Sequence, residues 1–439
     1  MEYLRSILFL AFAIGGIGLF VRNLLRIRRN ILLGKKSNRS DQPSVRLKLM
    51  ARIAIGQGKM MAKPVAGFFH IIVYLGFLIV NVELIEIFID GIFGTHRYLG
   101  HIIPTQLYNF VTATLDFLAV SVMISVSVFF IRRNITKVPR LNSRDLIGWP
   151  KIDGNLILII EFVMMFALLS MNSADINLQL LDHRETLGYF PISHLILGNA
   201  FSGLSVHSLI IIEKSSWWFH YLGILFFMNY LYFSKHLHIL FAFPNTYFSN
   251  LNKKGQLNSL EAITKEVRSM MDPNIDPYAA TPEGTIPEKF GASDATDLSW
   301  IQLLNAYTCT ECGRCTSNCP ANLTGKKLSP RKIMMSVRDR IEDIGKNINK
   351  NGIFIEDGKQ LLGDYITSEE LWACTTCNAC VESCPVLIDP LSIIIDLRRY
   401  LVMEQSAAPQ ELNMMMANME NNSAPWQFSQ SDRANWIHE

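Results

Sequence analysis

The first 308 residues of this 439-residue chain contain no cysteine. That excludes an evenly stapled secreted scaffold, whose cysteines are spread along the whole chain. Charge is also scarce, at 18% of residues. No Gly-rich phosphate loop and no flavin fingerprint occurs, so a bound nucleotide cofactor is not expected. What the chain has instead is apolar length: 49% hydrophobic residues and a mean hydropathy of +0.21, values high for a water-soluble globule.

Crossing a bilayer core takes about 20 residues of helix. Four runs are long enough, at Leu4–Val21, Val65–Asp90, Thr105–Ile131 and Trp217–Phe241, and Asn155–Met171 adds a shorter fifth. The first is not a cleavable leader, because its basic cluster follows the apolar core. Lys and Arg number 12 between Arg22 and Lys63 and 6 between Arg132 and Lys151. They number only 1 in Gly91–Pro104 and 2 in Asn172–Ser216. Basic loops mark the cytoplasmic side, so five spans predict an outer N-terminus and an inner C-terminus. The topology accounts for the basic runs, and nucleic acid is not an expected partner. The segment Ile192–Ile212 is read as interfacial or re-entrant on the outer face. Residues 251–299 read as a linker carrying Pro273, Pro277, Pro282 and Pro287, with a helix near Leu260–Met271.

All eight cysteines lie between Cys309 and Cys384, in "CTECGRCTSNCP" and "CTTCNACVESCP". Both read C-x2-C-x2-C-x3-C-P. In such runs three thiolates hold one [4Fe–4S] cluster and the fourth crosses to the other. Cys309, Cys312, Cys315 and Cys384 are therefore expected on one cluster, and Cys374, Cys377, Cys380 and Cys319 on the second. Zinc sites do not follow this pattern, and no cysteine is left for thiol catalysis. "SPRKIMMSVRDRIEDI" and "DPLSIIIDLRRYLVME" both open with a capping residue and Pro before helical periodicity. The expectation is an all-α ferredoxin domain over residues 300–405, following a transmembrane domain over 1–250. Residues 406–439 form a tail expected to dock a partner.

The run "FHYLGILFFMNYLYFSKHLHIL" carries three histidines. On one continuous helix His220 and His238 share a face, about 27 Å apart along the axis, and His236 points the other way. His70, on the antiparallel second span, matches His238 in depth. Paired imidazoles at equal depth suit a b-type haem. His220 lacks an equivalent partner, since Val80, Asn81, Val82 and Glu83 occupy the matching stretch. His96, His101, His194 or His207 as a second ligand, a five-coordinate haem, or a quinone contact are the open alternatives there. Asp116, Glu83 and Glu86 are buried-carboxyl candidates without an assigned role.

"AGFFHIIVYLGF", "WWFHYLGILFFMNYLYFSKHLHIL", "AYTCTECGRCTSNCPA" with "LSPRKI", and the second cysteine motif together resemble membrane-bound, heterodisulfide-reductase-related iron–sulfur oxidoreductases. These join a nitrate-reductase-gamma-like cytochrome b domain to a dicluster ferredoxin. The resemblance covers nearly the whole chain and is similar to electron-transfer-flavoprotein:quinone oxidoreductase membrane subunits without their CCG domains. It implies a five-helix cytochrome b-like bundle in a bacterial cytoplasmic membrane, with the ferredoxin domain on the cytoplasmic side. It also implies haem b on His70 and His238, a second haem at His220, and electron exchange with a membrane quinone. The soluble partner implied is a CCG-domain or flavoprotein subunit. Alternatives are a redox sensor or scaffold, or the electron-donating anchor of a disulfide or sulfur-compound reductase.

Overall fold

The computed structural model describes residues 2–274 and 289–438. Pro277, Pro282 and Pro287 of the expected linker fall outside them. Among the described residues the fold is all-helical, its β features limited to two isolated bridges.

The apolar runs become long helices: α1 (Glu2–Ile31), α2 (Pro64–Phe93), α3 (Thr105–Asn134) and α4 (Trp149–Leu180). Each is long and apolar enough to cross a membrane. A fifth helix, α5 (Val206–Tyr230), runs beside them. Helix α2 packs on α3, α3 on α4, α4 on α5, α5 on α1, and α1 back on α2. Phe68, Phe77, Phe110, Phe117, Phe166 and Phe226 stay exposed on the bundle. An apolar outer surface of this kind is what helices present to lipid.

The expected span Trp217–Phe241 is corrected. Among the described residues four helices, not five, have the length and apolarity of a span, and this run is not among them. Helix α5 starts eleven residues earlier than expected, capped by Ser205, whose hydroxyl accepts from Ser208 N at 3.2 Å. Val206–Ile212 therefore belongs to α5 rather than to a re-entrant loop, and Glu213 and Lys214 dilute the helix's apolarity. Of the segment read as interfacial or re-entrant, Pro191–Phe201 forms short helical turns outside α5. The helix then stops at Tyr230. Two single 3-10 turns, Leu231–Phe233 and Lys235–Leu237, precede a new helix, α6 (His238–Tyr247). Asp153 of α4 fixes the break by accepting from Tyr230 Oη at 2.6 Å and from Lys235 N at 3.1 Å. A backbone N–H outside any helix must find such a partner when buried.

The two helices expected of the cysteine-bearing part are present as α10 (Pro330–Asn351) and α12 (Pro390–Met403), and they are joined by α7 (Trp300–Thr308), α8 (Arg314–Ser317), α9 (Pro320–Leu323) and α11 (Ala379–Ser383). Ser329 caps α10 through Lys332 N, Asp389 caps α12 through Ser392 N, and each is followed by proline. The helix expected near Leu260–Met271 spans Glu261–Met271.

One hydrophobic core joins the two parts. Ile27 and Ile31 of α1, with Leu231 and Leu237 from the break, pack into the same cluster as Leu303, Val337, Ile341 and Leu397. Asn30 donates to Tyr307 Oη at 3.0 Å, and the Gly345 backbone lies so close to Asn30 that a Cβ would sit 2.4 Å from its amide. The loop between α3 and α4 is held by Arg331, fully buried, which grips both Asp145 oxygens at 2.6 and 2.9 Å.

Candidate iron–sulfur centres and a buried histidine cluster

Each cysteine of the first motif recurs 65 residues later in the second, and the backbone repeats with it. Glu311 and Thr376 have φ of 55° and 56°, and Gly313 and Asn378 have φ of 71° and 60°. Left-handed residues placed this way turn successive N–H groups toward one concave side, a cradle for negative charge. Two N–H groups already meet sulfur: Thr376 N lies 3.4 Å from Cys374 Sγ, and Ile388 N lies 3.3 Å from Cys384 Sγ.

All eight thiols are unpaired. Cys309, Cys312 and Cys315 of the first motif line one cavity together with Cys384 and Cys380 of the second. Cys384 thus lies with the first motif's cysteines, Cys380 shares their cavity, and these thiol donors fit iron–sulfur ligation. Burial pushes the thiols of Cys309 and Cys380 up to about 12 and that of Cys384 up to about 11. Binding iron at these sulfurs must therefore release protons. Arginines surround the loops: Arg140 donates to the Cys312 carbonyl, Arg398 to that of Cys374, and Arg331 to that of Glu311 at 3.3 Å.

The break after α5 decides where the histidines go. His70 and His238 face each other with ring centroids 6.4 Å apart. At that separation one metal ion between the rings is within reach of a nitrogen from each, about 2.0 Å per bond. The Nδ1 of His70 is buried without a hydrogen-bond partner, while that of His238 donates to the Lys235 carbonyl at 3.2 Å. His236 does not point away, as one continuous helix would require. Its ring lies 5.3 Å from that of His238, and its Nε2 is 3.5 Å from Glu161. His220 is buried on α5, with Nδ1 donating to the Met164 carbonyl at 3.1 Å and Nε2 left free for another partner. Asp116 is wholly buried and accepts from Ile192 N and Ser193 N, a structural anchor for that loop.

Sequence reasoning missed the element that joins the two sites. Lys235 donates to Glu311, between Cys309 and Cys312, while its carbonyl holds His238. Arg338 holds the other Glu311 oxygen at 2.7 Å. Burial alone would raise the Glu311 carboxyl, but Arg338 and Lys235 keep it below the usual carboxylate range. The signals available were Ser234, a capping residue inside an apolar run, and Glu161, an acid in "LIIEFV".

A family model described as "4Fe-4S dicluster domain" matches residues 308–388. The chain is similar to the probable iron–sulfur-binding oxidoreductase FadF of Bacillus subtilis, at 29% identity over 99% of this chain and 61% of that protein. It is also similar to the EtfAB:quinone oxidoreductase of Syntrophomonas wolfei, at 26% identity over 92% of this chain and 55% of that one. A probable membrane-anchored ferredoxin of Chromohalobacter salexigens is 32% identical over 33% of this chain and 24% of its own length. The chain thus spans little more than half the length of the first two relatives. No solved structure matches it.

Proposed function

We propose that the chain is the membrane-anchored electron-transfer subunit of an oxidoreductase, relaying electrons between a soluble redox partner and the membrane quinone pool. The observation that carries this is the Lys235 bridge, which sets the first cysteine loop directly against the His70–His238 pair. Bound there, two [4Fe–4S] clusters and a b haem supply one-electron carriers; the protein supplies their spacing and electrostatics.

Cys309, Cys312, Cys315 and Cys384 hold one cluster, and Cys374, Cys377, Cys380 and Cys319 the other. His70 and His238 would hold haem b, and His220 is the candidate for a second haem. The carbonyl of Lys235 orients His238 through Nδ1, which leaves Nε2 for iron. Arg140, Arg331 and Arg398 place positive charge beside the cluster loops, which favours the reduced state of each cluster. Cys377 is exposed, so the second cluster is the one open to a partner. The tail helix α13 (Gln410–Asn422), with Met414, Met415, Met416 and Met419 exposed, suits docking of a CCG-domain or flavoprotein subunit.

Residues 1–250 form the membrane part, 251–299 a linker, 300–405 the ferredoxin domain and 406–439 the docking tail. The ferredoxin domain lies on the cytoplasmic side of a bacterial inner membrane. Both basic loops touch it, through Arg314 to the Lys59 carbonyl and Arg140 to that of Cys312, in keeping with a positive inner face.

The test is reduction of the purified chain by a quinol analogue, followed by optical and paramagnetic-resonance spectroscopy. A low-spin b haem and two cluster signals, all reached by electrons from the quinol, support the proposal. A chain holding clusters but no haem, or one inert to quinol, overturns it.

A further inference from the structure

At the end of the bundle away from the cysteines, three residues distant in sequence meet. The Gly94 turn at the end of α2, with φ +73°, carries the chain back toward the bundle. Asp90 then holds it by accepting from Thr95 Oγ1 at 2.6 Å and from Arg97 N at 2.8 Å. That loop sets His96 Nε2 at 3.5 Å from Asp175 Oδ1 of α4 and 3.2 Å from Glu213 Oε1 of α5. Each carboxylate gives its other oxygen to an arginine: Arg97 Nε to Asp175 Oδ2 at 2.7 Å, and Arg184 Nη2 to Glu213 Oε2 at 2.8 Å.

We infer that His96, Asp175 and Glu213 form a binding site for a divalent transition-metal ion, with Zn²⁺ as its natural probe and water completing the coordination. Nitrogen and oxygen ligands at about 2.0–2.2 Å from a tetrahedral ion are separated from one another by roughly 3.3–3.5 Å. The two distances from His96 Nε2, 3.5 and 3.2 Å, lie within about 0.1 Å of this range, and all three ligand atoms lie within 4.8 Å of one another. An independent observation is the Asp175 carboxylate itself. The residue is fully buried, and its Oδ1 makes no hydrogen bond. The arginines fix the carboxylates in place, as partners behind metal ligands do. The three residues line a cavity of about 210 Å³, whose walls carry five carboxylates against four Arg and Lys. The excess of carboxylate favours a cation over an anion there, and His96, about one-third exposed, provides the entry. Bound metal would tie the loop after α2 to α4 and α5 at the end remote from the clusters.

The experiment uses the full chain, purified with its clusters intact and washed with chelator, titrated with Zn²⁺ and then with Co²⁺. The expected result is one equivalent of Zn²⁺ beyond the cluster iron, and a Co²⁺ spectrum without thiolate charge-transfer absorption, which excludes cysteine ligands. His96→Ala and Glu213→Gln should each weaken binding at least tenfold while iron content and cluster spectra stay unchanged. Absence of the equivalent in the parent chain, a thiolate band with Co²⁺, or undiminished binding in either variant overturns the inference.

Discussion

Lys235 and Glu311 form an ion pair across the junction of the two parts, both side chains nearly buried. Lys235 also takes in the Pro150 carbonyl at 2.6 Å and lies 3.8 Å from Asp153, so its ammonium serves the α4 end and the cysteine loop together. Glu311 keeps a second cation in Arg338. One lysine thus positions a cluster loop and, through its carbonyl, a histidine.

Lys235→Met should destabilise the chain by about 1.5–3 kcal/mol, the range for hydrogen bonds to charged groups. Removing positive charge beside the first loop should also lower the potential of the cluster on Cys309, Cys312, Cys315 and Cys384. Potentiometric titration of the cluster signals measures this, and equal potentials in parent and variant would count against the role given to Lys235.

His70→Ala and His238→Ala should each abolish a low-spin b-haem spectrum while both cluster signals persist. His236→Ala should shift that spectrum without removing it, because its ring lies 5.3 Å from His238. If either of the first two variants retains a bis-imidazole spectrum, the axial assignment is wrong.

Asp145→Asn leaves the buried Arg331 guanidinium with half its ion pair and should cost about 3–5 kcal/mol, as when a buried pair is broken from one side. Burial raises the Asp145 carboxyl, but hydrogen bonds from Arg331 and Ser143 outweigh it and bring it below the usual carboxylate range. The stabilisation is therefore complete above the unfolded carboxyl value of about 4 and is lost as pH falls through the lower folded value. Thermal unfolding of parent and variant should converge in acid, and a constant difference down to the acid transition would refute the assignment.

Gly313→Ala should cost the first cluster selectively. At φ +71° an L-residue is strained by roughly 1–2 kcal/mol, and a Cβ would lie 2.6 Å from Arg331 Nη1 and 2.7 Å from the Arg140 carbonyl. At the equivalent position of the second motif Asn378 already tolerates φ of 60°, so Asn378→Gly should leave both clusters in place. Iron content and cluster spectra separate the two outcomes.

The cysteine loops were legible because iron ligation imposes spacing on neighbours in sequence: Cys309, Cys312 and Cys315 cannot drift relative to one another. Helices α10 and α12 were legible for a similar reason, since Ser329-Pro330 and Asp389-Pro390 carry their own start signals. The break at Ser234 was not, because its cause is Asp153, some eighty residues earlier on a different helix. Ser234 marked where a new helical turn could start, but the apolar run gave no sign that a distant carboxylate would catch its backbone. The meeting of His236 with His238, and of His96 with Asp175 and Glu213, depends in the same way on how helices close into a ring. Charge in the loops predicted which ends of the helices lie together, but not which side chains meet there.

The core shared by Ile27, Ile31, Leu231 and Leu237 with the cysteine-bearing helices has a consequence for biogenesis. Helix α1 leaves the ribosome well before either cysteine motif, so the cysteine-bearing part completes its core on a surface that the earlier helices have already built. A fragment cut free at residue 289 would lose those four side chains and expose the apolar faces of α7 and α10 that cover them. Metal loading is thereby tied to an already assembled helical platform rather than to a free, diffusing domain.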